Sequence, residues 1–399
     1  MLVIRNATIF TGAGKCYEKG HIVIQDGKIA QIGAKVKAPK DARIIDADGL
    51  FVMPGLVDAH SHIGGFEADN QDLNEMTNNA TPAVEAYYGI DCTSKDFERA
   101  VRAGITTSVI TPGSGNVIGG MVCALKHIPG TTQQMCIANH IALKMAMGGN
   151  PKGVYGSKNQ LPMTRMGIAQ VIRDQLNKAK EYMEKREAQS AQKSGAKDGK
   201  GAKVKSAQGN TIPYDAGLEN LCKVLRKEIP LKVHCEQYDM LTVLKIAEEF
   251  DIRFTLDHAW GSSDFYEEIC SAKGLVGVIY GPIGILLLPG ECGKIDIECL
   301  AELDRRGVLC AIMTDGPILA PELLVVQTGE AVRLGTPHDR ALNMITINAA
   351  KIAGLDHRLG SLEVGKDADI AIFRGVPALD AHAHCVMTII DGKVLHDEL

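Results

Sequence analysis

Residues 51–62 read Phe-Val-Met-Pro-Gly-Leu-Val-Asp-Ala-His-Ser-His, a short apolar run ending on two imidazoles one residue apart. In an extended strand, positions i and i+2 share a face. His60 and His62 can therefore reach one cation, and neutral imidazole is the commonest protein ligand for zinc-like metals. A His-x-His pair carries little weight alone, but three further residues add to it. His234, His258 and Asp315 each interrupt an apolar strand-like run at its C-terminal end, in Pro230–His234, Phe254–His258 and Leu309–Asp315. Four imidazoles and one carboxylate suit Zn²⁺, and also Mn²⁺, Fe²⁺ or Ni²⁺, as one ion or two. Lys144 ends a further run, before Met145-Ala146-Met147-Gly148-Gly149. Carboxylated, it would bridge two ions; binding substrate, or reaching outward with its charge in water, are its other uses.

Such a set works only if several strands end on one side of the molecule. The middle of the chain alternates strand-like runs with helical patterns, the mark of βα units. Eight strands are expected, at Phe51–Asp58, Gly104–Thr111, Met121–Leu125, Cys136–Lys144, Ile229–Cys235, Ile252–Asp257, Leu275–Tyr280 and Val308–Met313. Helices are expected at Lys95–Ala103, Arg165–Glu187, Met240–Phe250, Ile297–Arg306 and Pro337–Ile352, the last capped by Thr336. This predicts an α/β fold, a (β/α)₈ TIM-type barrel over residues 54–354, whose site-bearing face is the C-terminal end of the strands. An open doubly wound sheet fits less well, because no G-x-G-x-x-G follows the first strand. Residues 1–53 read as short strands with an Asp26-Gly27 hairpin turn, too thin to hold a core alone. Residues 355–399 offer strands and a matching Asp391-Gly392 turn, so the two termini are expected to fold together. Residues 188–209, rich in Lys, Gly, Ala and Ser, read as a flexible solvated insert, with a basic docking arm as the alternative.

Composition bounds the function. The 399 residues carry 45% hydrophobic and 23% charged residues and a net charge of −5, giving no reason to expect nucleic acid or an anionic membrane as partner. No apolar run approaches the ~18–20 residues of a transmembrane helix, and Met1–Phe10 reads as a strand rather than a signal peptide. The 11 cysteines include no C-x-x-C pair and suggest reduced thiols in a cytoplasmic protein.

Pro54-Gly55-Leu56-Val57-Asp58-Ala59-His60-Ser61-His62, the later His234, His258 and Asp315, and the closing Gly360-Ser361-Leu362-Glu363-Val364-Gly365-Lys366-Asp367-Ala368-Asp369-Ile370 closely resemble the amidohydrolase superfamily over essentially the whole chain. Lys144–Lys152 and Thr164–Gly167 look like features of the imidazolonepropionase-like subgroup. The resemblance implies a distorted barrel with a β-sandwich of both termini, and matches His60, His62, His234, His258 and Asp315 to the family's metal and catalytic positions. A bound divalent cation lowers the pKa of water towards ~7. Asp315 would then take the proton and pass it to the leaving nitrogen, while the metal, or His258 if not a ligand, polarises the carbonyl. The expected reaction is cleavage of a C–N bond in an imidazolone-, hydantoin-, lactam- or dipeptide-like small molecule.

Two rivals remain. Deaminases of this superfamily usually place a glutamate three residues after the fifth-strand histidine, where this chain has Gln237; Glu236 would face away if the strand continued, though a loop could re-aim it. A non-catalytic scaffold would predict a broken ligand set, and here the set reads complete. Arg165 and Tyr155 are candidates to anchor a substrate carboxylate. His382-Ala383-His384 lies outside the barrel and reads as a surface turn, Gly113–Gly120 as a tight loop, and Cys235 as facing away from the metal. A homo-oligomer is plausible for such a barrel.

Overall fold

Strands from both ends of the chain meet in one sheet. The computed structural model describes residues 1–37, 39–66, 72–195, 212–284 and 293–399. Leu50–Pro54 pairs antiparallel with Ile370–Arg374, joining an N-terminal set (Leu2–Phe10, Cys16–Gln25, Lys28–Gly33, Arg43–Asp46) to a C-terminal set (His384–Ile390, Lys393–Asp397) in a mixed eight-stranded sheet. Both hairpin turns form as read: Asp26 and Gly27 lie at φ 51° and 75°, Asp391 and Gly392 at 49° and 72°. Two successive positive φ values suit the right-handed strand twist and favour Asp-Gly. The sheet has its own core, including Ile4, Ile22, Val52, Ile370 and Ile389.

The second sheet also has eight strands: β1 (Leu56–Ser61), β2 (Ile105–Ile110), β3 (Ile118–Lys126), β4 (Cys136–Ala146), β5 (Leu231–Cys235), β6 (Phe254–His258), β7 (Leu275–Tyr280) and β8 (Cys310–Ile312). They curl into a nearly closed TIM-type barrel. The backbone bonds Asp315 N–H to His60 O (3.2 Å) and His62 N–H to Gly316 O (2.6 Å) tie the exit of β8 to β1.

The barrel departs from an ideal (β/α)₈ pattern at β3, which runs antiparallel to both neighbours. The reason lies in the connection. A parallel crossover needs a dozen or more residues, and only Thr111–Val117 separates β2 from β3. The expected strand Phe51–Asp58 is also divided. Leu50–Pro54 belongs to the terminal sheet and β1 begins at Leu56. At the junction, a Cβ on Gly55 would lie 2.4 Å from the Thr106 side chain, so the close approach there needs glycine.

Helices form at Lys95–Arg102, Arg165–Gly195, Asp239–Phe250 and Cys299–Arg305, near their expected places. The expected Pro337–Ile352 helix splits into His338–Met344 and Ile347–Ile352. The β-branched run Ile345-Thr346-Ile347 breaks it. Thr336 does not cap it; its buried hydroxyl has no partner. Residues 188–195, expected in the flexible insert, extend the Arg165–Gly195 helix, as an Ala-, Gln- and Lys-rich stretch can. Residues 196–209 lie outside the described residues. Among the described residues no helix is long and apolar enough to cross a membrane.

Because β3 is reversed, Lys126 at its end lies at the barrel face opposite the strand ends that bear the site. Its buried ammonium donates to Asp367 (2.8 Å), Asp369 Oδ1 (3.1 Å) and Asp391, pinning the barrel to the C-terminal segment. Breaking a buried ion network by removing one partner leaves uncompensated charge and costs about 3–5 kcal/mol. Lys126→Met should lose about that much stability in urea unfolding.

Candidate metal centre

Strand alternation decides what enters the barrel. In β5, Leu231, Val233 and Cys235 join the main apolar cluster, so Lys232 and His234 face inward. In β6, Phe254 and Leu256 face that cluster and Thr255 and Asp257 face inward. In β4, Leu143 and Met145 do the same for Lys144. In β1, Val57 and Ala59 join a separate cluster with Ile279, Ala311 and Met313, and the pairing with β2 slips between Asp58 and Ser61, so simple alternation does not place His60. His258 should by this rule point outward. It instead adopts φ 66°, and Asp315 adopts φ 55° after β8. Left-handed backbone is uncommon for non-glycine residues and gathers at functional sites. Here it turns both side chains into the barrel mouth.

His60, His62 and Asp315 bring ligand atoms within 4.8 Å of one another, all three residues buried. Asp315 Oδ1 lies 3.1 Å from His62 Nε2 and 3.5 Å from His60 Nε2. His62 Nδ1 donates to the Thr111 carbonyl at 2.8 Å and His60 Nδ1 to Asp257 Oδ2 at 2.5 Å. With the protons there, both Nε2 lone pairs face the carboxylate. Lys144 Nζ lies 3.1 Å from His60 Nε2. On the far side, the rings of His234 and His258 are 3.9 Å apart, and those of His60 and His258 5.3 Å. Ser114 Oγ bonds His234 Nδ1 at 2.9 Å.

Burial sets the charge states. It drives His60 and His258 well below the usual imidazole range, with the cationic neighbours adding to the effect, so both rings are neutral and ligand-competent. It also lowers Lys144 to about 8. His234 Nε2, both nitrogens of His258 and Asp315 Oδ1 are buried without a hydrogen-bond partner. Buried polar atoms normally have partners; nitrogen and carboxylate acceptors turned inward in this way fit a divalent cation of zinc type.

Of the residues expected from the sequence, His60, His62, His234, His258, Asp315 and Lys144 thus converge. Tyr155 does not join them. Its hydroxyl donates to Asn78 O (2.7 Å) and Asn116 Oδ1 (2.5 Å), bracing the loops. Arg165 donates to Asp239 at 2.8 Å and stacks on Tyr238, its side chain 27% exposed. Cys235 packs in the outer core, its thiol pushed well up by burial. His382 and His384 lie in the terminal domain, where His384 Nδ1 donates to His382 O. Of Gly113–Gly120, expected as a loop, Ile118–Gly120 belong to β3, and the loop before them supplies Ser114 to His234.

For Glu236 the loop alternative holds. The strand ends at Cys235, so Glu236 does not face away; its buried Oε1 lies 3.4 Å from His234 Nε2. Gln237, at φ 44°, donates its backbone N–H to Trp260 O. Missed altogether were Thr111, Ser114, Lys232 and Asp257. Only the last two carried a signal, being charges inside apolar strand runs.

The sequence profile of the amidohydrolase family matches residues 51–395. A solved amidohydrolase from Thermotoga maritima MSB8 is 35% identical, with 100% of each chain covered and a TM-score of 0.89. Among curated relatives, amidohydrolase tasK of Hapsidospora irregularis is 26% identical over 99% of this chain, which spans 43% of that longer protein. The 5-methylthioadenosine/S-adenosylhomocysteine deaminase of Symbiobacterium thermophilum is 24% identical, covering 100% of this chain and 94% of its own length. The imidazolonepropionase of Pseudomonas entomophila is 25% identical over 92% and 90%.

His60→Ala and Asp315→Asn should each lower the metal content of purified, dialysed protein to background in elemental analysis, where the parent protein retains stoichiometric metal.

Proposed function

This chain belongs to the amidohydrolase family and is imidazolonepropionase-like within it; on that premise we propose that it is a metal-dependent hydrolase opening the C–N bond of a small amide or cyclic amide. The observation carrying this reading is the convergence of His60 Nε2, His62 Nε2 and Asp315 Oδ1 as buried, inward-facing acceptors. A divalent ion of zinc type, held there, supplies an acidified water and Lewis-acid polarisation of the carbonyl. Asp315 accepts the proton of the attacking water and delivers it to the departing nitrogen, so that carboxylate and amine leave as products. His258, kept neutral by burial, either completes the ligand set or donates its ring N–H to the developing oxyanion. Lys144, carried as a carbamate, would offer oxygens to a second ion shared with His234 and His258.

Arg165 at the mouth is the group we assign to a substrate carboxylate, supported by its part-exposed guanidinium. The described cysteines are free thiols, which supports a cytoplasmic setting. A homo-oligomer completes the reading.

A second reading, an aminohydrolase acting on a heterocyclic amine, is favoured by Glu236. A carboxyl group beside His234 can protonate a ring nitrogen in place of the residue that Gln237 replaces. A panel of hydantoins, lactams, imidazolones, dipeptides and heterocyclic amines separates the two. The primary reading predicts ring-opened or cleaved amides, with kcat reduced about 10²–10⁴-fold in Asp315→Asn. Ammonia release lost in Glu236→Gln would establish the second reading, and no turnover of any class would overturn both.

A further inference from the structure

Asp257 takes no part in the chemistry above, yet it is fully buried inside the barrel with a donor on each oxygen. Its Oδ2 accepts from His60 Nδ1 at 2.5 Å and from Lys232 Nζ at 2.7 Å, and its Oδ1 from Thr255 Oγ1 at 2.5 Å. Lys232 is itself buried, so the two charges balance each other where neither could stand alone. The partners behind the site's other imidazoles are weaker. His62 is backed by the carbonyl of Thr111, His234 by the hydroxyl of Ser114, and neither nitrogen of His258 has a hydrogen-bond partner. Among these four histidines, His60 is the one with an anion behind its Nδ1.

A carboxylate in that position fixes which nitrogen carries the proton, holds the ring plane, and strengthens the opposite nitrogen as an electron-pair donor. We propose that Asp257, charge-balanced by Lys232, is a positioning residue that locks His60 with its Nε2 lone pair aimed into the site, and so makes the His60–His62–Asp315 position the tight ion position. The pair His234 and His258, with a hydroxyl and nothing behind them, forms the weaker side. This rests on the metal-dependent reading given above, and its test separates the two.

Zinc affinity is measured by competition against a chromogenic chelator for the metal-free parent protein, Asp257→Asn, the double variant Asp257→Asn/Lys232→Met, and His258→Ala. The double variant removes both buried charges together and guards against misfolding from an unpaired Lys232. Circular dichroism and melting of the metal-free forms report the fold separately. The expected result is an about 10–100-fold loss of affinity at the tightest site in both Asp257 variants, with a smaller loss in His258→Ala. A packing role alone would lower the melting temperature of the metal-free protein and leave the zinc affinity of the folded protein intact; that outcome overturns the proposal while the proposed function stands. Failure of the parent protein to bind zinc, or another divalent metal, would instead remove the reading on which it rests.

Discussion

Imidazole nitrogens crowded around a carboxylate inside a nearly closed barrel are the constraint on which the rest of this structure depends. Hydrogen bonds from Nδ1 to Thr111 and Asp257 commit the protons of His62 and His60 to the outside of the cluster. Their Nε2 lone pairs lie beside an Asp315 oxygen that has no hydrogen-bond partner, with Lys144 Nζ and the Thr111 hydroxyl within reach of His60 Nε2. An unsatisfied buried polar group costs about 1–3 kcal/mol, and several meet here. A divalent cation would complete such an arrangement. Much else follows: left-handed backbone at His258 and Asp315, a glycine-rich loop supplying Ser114 to His234, and a lysine–aspartate pair supporting one ring from below.

The chemistry was more legible in the sequence than the topology. Side-chain alternation carried Lys144 and His234 into the barrel without further help, because period-two patterning fixes which face a residue takes; His60 and His62 share a face with each other as read, but follow a slip in the pairing of β1. His258 and Asp315 were found for an incomplete reason. They end apolar runs, but alternation alone would aim His258 outward, and a local positive φ brings it in. Glu236 was left open through the same gap: alternation aims it outward only while the strand continues, and the strand stops one residue before it. The reversed strand Ile118–Lys126 was hidden because an apolar run looks alike in parallel and antiparallel settings. Only the seven-residue connection before it betrays its direction. Thr111 and Ser114 left no mark, since a hydroxyl or a carbonyl recruited from a loop has no spacing rule. Tyr155 was overread: a tyrosine near a site is as easily a strut as an anchor.

The two functional readings divide over one carboxyl group. Relatives of near-equal similarity include a deaminase and an imidazolonepropionase, and a barrel of this kind carries both chemistries by varying what surrounds the ions. Under the proposed mechanism Asp315 would serve either as proton carrier. Glu236 beside His234 is needed only if a ring nitrogen must be protonated, which an amide carbonyl does not require. On the proposed readings, the balance between Asp315 and Glu236 would decide substrate class, separately from whether the centre holds metal.

Anomalous X-ray scattering from crystals of the zinc-loaded protein tests the central claim most directly. The account predicts a peak about 2.0–2.2 Å from His60 Nε2, His62 Nε2 and an Asp315 carboxylate oxygen, at ordinary zinc–ligand distances. A peak held by other residues, or none at the barrel mouth under saturating zinc, would contradict it.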